Sequence, residues 1–126
     1  MLIDCGVQMP DDTTPGVDFL CPDVEPLIER YGPPTAVVLT HGHEDHIGAL
    51  GHLLNVVGEP IPVYGRKLTL KLCERRLNRL RVPSRLRDLR ELPLGATLWL
   101  RGNDDETGVA VTPLAVPHSI PEACAL

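Results

Sequence analysis

Apolar runs and amphipathic segments alternate along this chain, and prolines and glycines separate them. The apolar runs predict strands at residues 2–5, 36–40, 62–64, 96–100 and 108–116. Helical spacing predicts helices at residues 25–31, 46–56 and 67–81, and residues 10–22 form a long loop. Because strands and helices alternate, we expect an α/β fold in which helices pack on a mixed or parallel sheet.

The predicted helix at residues 67–81 indicates which side chains build the core. Leu68 pairs with Leu72, and Cys73 recurs with Leu77 and Leu80 at helical spacing. The 126 residues suit one domain or less, and 43% apolar residues with few aromatics give an aliphatic core. The 13 prolines divide the chain into short elements, which favours a layered fold over a helical bundle.

Candidate metal ligands are concentrated in residues 41–46. In an extended segment His41 and His43 point to the same side, so both can bind one ion. Asp45 and His46 follow where the chain turns from strand to helix, and they can hold a second ion. Two ions about 3.5–4 Å apart suit hydrolysis, because both polarise a shared water. A polar loop explains any one of these residues, but it is a poor explanation for all four together.

A further candidate ligand follows the apolar run at residues 108–116. His118 stands at the end of that run and precedes Ser-Ile-Pro-Glu at residues 119–122. A lone histidine after a strand is more often structural than a ligand. The first cluster still lacks donors to complete its coordination, however, and loops at strand ends are readily brought to one edge of a scaffold. We therefore count His118 as a third imidazole ligand.

Three segments together resemble a known family. They are His-Gly-His-Glu-Asp-His-Ile-Gly-Ala-Leu at residues 41–50, Met-Leu-Ile-Asp-Cys-Gly at residues 1–6 and His-Ser-Ile-Pro-Glu at residues 118–122. They are similar to the metallo-β-lactamase fold, and to the ribonuclease J branch of its β-CASP nucleases. Glu44, the Ile-Gly pair at residues 47–48 and the Ser-Ile-Pro after His118 narrow the resemblance to that branch. It runs across the whole chain and implies part of an αββα sandwich, a mixed sheet with flanking helices.

The resemblance assigns roles to individual residues. It implies that His41, His43 and His118 bind one metal ion, and that Asp45 and His46 bind the other and serve catalysis. Asp4 matches the family's first motif, an acid that orients the metal-binding loop. The alternative for Asp4 is a turn residue before Gly6. The implied cofactor is Zn²⁺, two per complete site, with Mn²⁺ or Mg²⁺ as the other suitable ions.

The chain also departs from the family pattern. The family has strands before the first motif, a bridging aspartate after the His-Ser-Ile-Pro segment, and a last histidine beyond an inserted β-CASP domain. None of these is present in residues 1–126, and Glu122 is too close to His118 to be that aspartate. We therefore interpret the chain as a partial metallo-β-lactamase domain. We expect it to be either a product truncated at both ends or part of a longer polypeptide.

The resemblance implies that the complete enzyme cleaves RNA phosphodiesters with a metal-bound hydroxide, as a 5′-to-3′ exonuclease and endonuclease in RNA processing and decay. Two other interpretations remain open. One is a metallo-hydrolase of the same fold that acts on a thioester, lactone or lactam. The other is a non-catalytic remnant that only binds RNA or a partner. An incomplete ligand set also leaves room for a homo-oligomer, in which a neighbouring subunit supplies the missing ligands.

Basic residues are concentrated in one segment of an acidic chain. The net charge is −5, yet 11 of the 12 Lys and Arg residues lie between Arg66 and Arg101. This segment could steer RNA phosphates towards the metals, with contacts from Arg75, Arg76 and Arg79. A solvated helix face, or a contact with an acidic domain, is the commoner use of such a segment.

Cysteines and hydropathy suggest a cellular compartment. Cys5, Cys21, Cys73 and Cys124 lack paired metal-ligand spacing, and the N-terminus does not resemble a signal peptide. No apolar run is long enough to cross a bilayer. We expect a soluble cytoplasmic protein.

Overall fold

Four short parallel strands form the central sheet in a computed structural model that describes residues 1–101 and 108–126. The sheet order is β1-β2-β3-β4, and the strands are β1 (Leu2–Ile3), β2 (Val37–Val38), β3 (Ile61–Gly65) and β4 (Arg87–Glu91). The connections contain α1 (Glu25–Tyr31), α2 (Glu44–Ile47), α3 (Leu50–Val57), α4 (Lys67–Arg79) and a 3₁₀ turn (Ser84–Leu86). Parallel neighbours need such crossovers, because a tight turn cannot reverse the chain between them. No helix in the described part of the chain is long and apolar enough to cross a membrane.

Two antiparallel strand pairs complete the described structure. One consists of β5 (Leu98–Arg101) and β6 (Gly108–Val111), and the other of β7 (Leu114–Ala115) and β8 (Cys124–Ala125). The single strand predicted at residues 108–116 is therefore two strands. Pro113 lies between them, and a proline cannot donate to a ladder of backbone hydrogen bonds.

The core shows how the layers pack. Val37 and Leu39 lie in one apolar cluster with α3 and α4, whereas Val38 packs with Val111 in a second cluster that includes β5 side chains. Successive side chains of a strand point to opposite faces, so β2 carries helices on one face and the β5–β6 pair on the other. The predicted α/β class is confirmed, although parallel and antiparallel strands lie in separate sheets.

The helix predicted at residues 46–56 is divided into α2 and α3 at Gly48 and Ala49. The segment from Cys5 to Val7 runs beside this break and replaces helical hydrogen bonds with bonds between segments. The Cys5 amide donates to the His46 carbonyl at 2.7 Å, and the Ala49 amide donates to the Cys5 carbonyl at 2.9 Å. These bonds hold the segment after β1 beside residues 45–46, which are candidate metal ligands.

Two other sequence predictions were wrong. Strand β4 was not predicted, because its sequence Arg-Asp-Leu-Arg-Glu has a single apolar residue. It lies at the edge of the parallel sheet, where the exposed charges of Arg90 and Glu91 discourage edge-to-edge pairing. Leu80 is 45% exposed rather than buried; it follows the last residue of α4, which ends at Arg79 and not at residue 81.

Burial of the cysteines leads to a prediction about thiol reactivity. Burial raises the pKa of the Cys5 thiol to about 11 and that of Cys73 to about 12, and Cys124 is also buried. Cys21 is exposed. Because thiolates are the reactive species, we expect Ellman's reagent at pH 8 to label one thiol rapidly and the others only after unfolding. The rapid phase should be absent in Cys21→Ser, and two or more rapid thiols would contradict the packing described here.

Candidate metal centre

Three histidines from distant parts of the chain converge on one point. His41 follows β2, His43 precedes α2, and His118 lies in the loop between β7 and β8. One ring nitrogen of each lies within 4.8 Å of the others. The ring centre of His41 is 4.8 Å from that of His43 and 4.3 Å from that of His118. This spacing suits three imidazoles that share one ion.

The remaining two candidate ligands lie beside this cluster. The His46 ring centre is 3.9 Å from the His41 ring centre. The Asp45 carboxylate lies 3.5 Å from His46 Nε2. The structure therefore brings four of the five histidines to one place, together with a carboxylate. His52, the fifth histidine, lines a different cavity with Cys21 and Asn55.

Asp4 connects two of the histidines through hydrogen bonds. Its Oδ1 accepts a hydrogen bond from the Thr40 amide, and its Oδ2 accepts one from the Thr40 hydroxyl, both at 2.8 Å. The same Oδ2 lies 2.7 Å from His46 Nδ1. A carboxylate only accepts, so His46 Nδ1 carries a hydrogen and its Nε2 carries the free lone pair.

The Thr40 hydroxyl extends this effect to His41. It lies 2.9 Å from His41 Nδ1 and has already donated its hydrogen to Asp4, so it accepts from His41. The lone pair of His41 is therefore on Nε2. That atom is buried and has no hydrogen-bond partner among the described residues, in a side chain 6% exposed. A buried lone pair is unfavourable without a partner, and a metal ion would satisfy it.

The electrostatics of His41 agree with this arrangement. Burial lowers the pKa of His41, and the neighbouring imidazoles of His46, His118 and His43 lower it further. The neutral ring is thus retained at lower pH than for a free histidine. Metal ions bind the neutral imidazole, so the residues present fit such an ion.

The glycine at position 6 explains how these segments approach so closely. A Cβ at Gly6 would lie 1.7 Å from the Asp45 carbonyl oxygen and 2.7 Å from the His46 amide nitrogen. The Val7 amide donates to the Glu44 carbonyl at 3.1 Å on the same stretch. Backbone atoms therefore contact the ligand loop directly, and only glycine leaves space for them.

Residues near the C-terminus position the loop of His118, and the sequence did not predict their role. The amide of Cys124 donates to the Thr40 carbonyl at 3.1 Å, and its thiol donates to the same carbonyl at 3.2 Å. The Glu122 carboxylate accepts a hydrogen bond from the Leu68 amide in the first turn of α4 at 2.7 Å. A carboxylate at a helix N-terminus also favours the helix dipole, and α4 has no acid of its own there.

A polar cavity of about 270 Å³ adjoins the ligand loop. It is lined by Gly42 and Glu44, on either side of His43, and by Arg75, Arg76 and Arg79 of α4. The arginines named from the sequence therefore surround a cavity beside the candidate ligands. Gly42 allows Leu72 of α4 to approach this loop closely, because a Cβ at Gly42 would lie 2.5 Å from the Leu72 side chain.

The hydrogen-bond network around Asp4 can be tested with one substitution. Asp4 has a φ of 56°, a left-handed conformation that asparagine also tolerates. We expect Asp4→Asn to weaken Zn²⁺ binding about 10–100-fold. The two carboxylate oxygens of Asp4 accept hydrogen bonds from Thr40 and His46, whereas an asparagine side chain has only one acceptor oxygen. Asp12→Asn, an exposed change of equal charge, should leave Zn²⁺ binding unchanged. The measurement is competition with a chromophoric chelator, and equal affinity in both variants would contradict the network.

Comparisons with known proteins identify the class first. The family model for the beta-lactamase superfamily domain matches residues 1–125, so the chain belongs to the beta-lactamase superfamily. Within it, the sequence is similar to ribonuclease J, which confirms the predicted resemblance. It is 39% identical to ribonuclease J of Mycobacterium tuberculosis over 127 residues, covering 100% of this chain and 21% of that protein.

Two further relatives agree with this result. Ribonuclease J of Thermus thermophilus is 47% identical over 79 residues, covering 60% of this chain and 14% of that protein. Ribonuclease J2 of Bacillus subtilis is 41% identical over 91 residues, covering 72% of this chain and 16% of that protein. The chain thus spans about a fifth or less of the length of these relatives.

Proposed function

We propose that this chain carries metal ligands of a hydrolase that cleaves RNA phosphodiester bonds. The main support for this proposal is the buried Nε2 lone pair of His41, which lies beside the candidate ligand atoms of His43 and His118. Asp45 and His46 adjoin this cluster and are proposed to hold a second ion. Zn²⁺ is the proposed ion because imidazoles predominate, and the carboxylate also admits Mn²⁺ or Mg²⁺.

Several residues of the chain would orient the ligands of such a site. Bound ions would supply Lewis acidity and an activated water nucleophile. Asp4 holds His46 directly, and His41 through Thr40, in the tautomers that present Nε2. Glu122 and Cys124 fix the loop of His118 to α4 and to Thr40. His41, His46 and the loop of His118 are therefore oriented by contacts that do not depend on the ions.

RNA is the proposed substrate because the relatives are named ribonuclease J and ribonuclease J2. The basic residues that line the cavity beside His43 support an anionic substrate. We further propose a role in RNA processing and decay in the cytoplasm, where the free thiols of the four cysteines are stable. The ligands still missing would come from water, from a second copy of the chain or from further polypeptide.

The test uses the chain alone and a chimera in which it replaces the matching segment of the M. tuberculosis relative. Each is loaded with Zn²⁺ or Mn²⁺ and incubated with 5′-labelled single-stranded RNA. We expect the chimera to cleave RNA. The cleavage rate should fall by more than about 100-fold in His43→Ala and by less than about twofold in His52→Ala. Labelled mononucleotide would indicate cleavage from the 5′ end, and labelled oligonucleotides would indicate internal cleavage.

The alternatives predict different outcomes. A folded, metal-loaded chimera that hydrolyses thioesters, lactones or lactams but leaves RNA intact would favour another hydrolase of the superfamily. A non-catalytic remnant would bind RNA equally well after His41→Ala and His43→Ala and would cleave none of these substrates. Either outcome contradicts the proposed RNA hydrolase.

A further inference from the structure

Four basic residues form a line along one face of α4. Lys67, Lys71, Arg75 and Arg79 follow one another at intervals of four, and all four are exposed. Residues four apart lie above one another on a helix, and twelve residues rise roughly 18 Å. The opposite face is buried by Thr69, Cys73 and Leu77. We call these four residues the basic stripe.

The basic stripe is unfavourable for the helix that carries it. Like charges four residues apart repel one another and destabilise a helix, and the stripe contains three such pairs. Among the salt bridges of the described residues, none involves a member of the stripe. Glu74 is the only acid in α4, whose net charge is +4. The charges of the stripe therefore face solvent and remain available to an anionic ligand.

Arg76 does not belong to this surface. Its Nε lies 3.4 Å from the Glu44 carboxylate, and its guanidinium lies 4.8 Å from the centre of the Phe19 ring. Its side chain is 12% exposed. The contact with Glu44 holds α4 against the ligand loop, so Arg76 positions that loop. Its neighbours Arg75 and Arg79 remain solvated.

The stripe also leads to the metal centre. Its C-terminal half, Arg75 and Arg79, lines the 270 Å³ cavity together with Gly42 and Glu44, the neighbours of His43. Its N-terminal end begins at the turn of α4 whose Leu68 amide binds Glu122, in the loop of His118. Both ligand loops thus contact the helix that carries the stripe.

We propose that the basic stripe binds the sugar-phosphate backbone of single-stranded RNA and places it beside the histidine cluster. This inference rests on the proposed function for the identity of the ligand. A single line of charges matches one strand, and backbone contacts carry no base information, so binding is independent of sequence. Arg76 covers one face of the Phe19 ring, which is one of the few aromatic rings that could stack on bases.

The test measures binding without cleavage. A fluorescein-labelled 12-nucleotide oligouridylate is titrated with the chain in EDTA, and its fluorescence anisotropy is recorded between 50 and 200 mM salt. In this range the Debye length is about 10 Å (its value at 0.1 M), so the strength of charge–charge attraction changes with salt. The stripe variant is Arg75→Gln with Arg79→Gln. The control is Arg30→Gln with Arg85→Gln, which removes equal charge from α1 and the 3₁₀ turn.

We expect the stripe variant to bind about tenfold more weakly, and its salt slope to fall by about 1.4, or 0.7 for each phosphate that it no longer neutralises. The control should change the affinity less than about twofold. Equal effects in both variants, no binding by the unsubstituted chain, or equal competition by an oligoglutamate of matched charge would each overturn the proposal. Because EDTA removes the ions, failure of RNA cleavage in the chimera would leave a positive binding result intact.

Discussion

Zn²⁺ binding should fall by more than about 100-fold when His41 is replaced by alanine. Loss of a hydrogen-bond partner behind a ligand already reduces affinity about 10–100-fold, and this change removes the ligand itself. His41 is central to the cluster, because its ring contacts those of His43, His46 and His118. The measurement is metal content by elemental analysis after gel filtration, together with chelator competition.

His52→Ala is the matched control for this experiment. It removes an imidazole from α3 that lies in a separate cavity, so it should retain the metal content of the unsubstituted chain. Similar losses in both variants would show that metal binds adventitiously to histidines. Unchanged binding in His41→Ala would show that its buried Nε2 has another purpose.

Gly6→Ala should destabilise the chain by about 3 kcal/mol or more and lower its melting temperature by about 10 °C or more. The added methyl carbon would lie 1.7 Å from the Asp45 carbonyl oxygen and 2.0 Å from its carbon, both backbone atoms. Backbone cannot rotate away as a side-chain end can, so Cys5 and Ala49 would lose their mutual hydrogen bond. Thermal denaturation followed by circular dichroism measures this effect.

The effect of Gly6→Ala comes from space rather than from backbone conformation. Gly16→Ala is the control, because Gly16 has a φ of 79° and open space around it. Its alanine variant should lose only about 1–2 kcal/mol, the ordinary cost of a left-handed residue. Melting temperatures that are equal in the two variants would refute the close approach at Asp45.

The sequence predicted much of the candidate site, because four of its five candidate ligands lie within residues 41–46. Because successive side chains of an extended segment point to opposite sides, the sequence predicted His41 and His43 on the same side. Their ring centres lie 4.8 Å apart. The sequence also identified His118, but only folding could bring residues 41 and 118 together. The bonds from Cys124 to Thr40 that do so join residues 84 positions apart.

The fold was predictable where elements are amphipathic and unpredictable where a neighbouring segment decides. Helix α4 has a buried face at regular spacing, and its start at Lys67 was predicted correctly. Strand β4 has no apolar alternation and exists because β3 offers it a parallel partner along Ile61–Gly65. The break between α2 and α3 depends on bonds from Cys5, which no local pattern in residues 44–57 reveals.

The sequence by itself determined the set of candidate metal ligands, the α/β class and the concentration of positive charge from Arg66 onwards. Each of these depends on residue type and on spacing along the chain. The tertiary structure alone decided that Asp4 sets the tautomers of His41 and His46, and that Arg76 is held by Glu44 while Arg75 and Arg79 remain free in solvent. Such outcomes depend on hydrogen bonds and packing between distant segments, whose distances are fixed only when the chain folds.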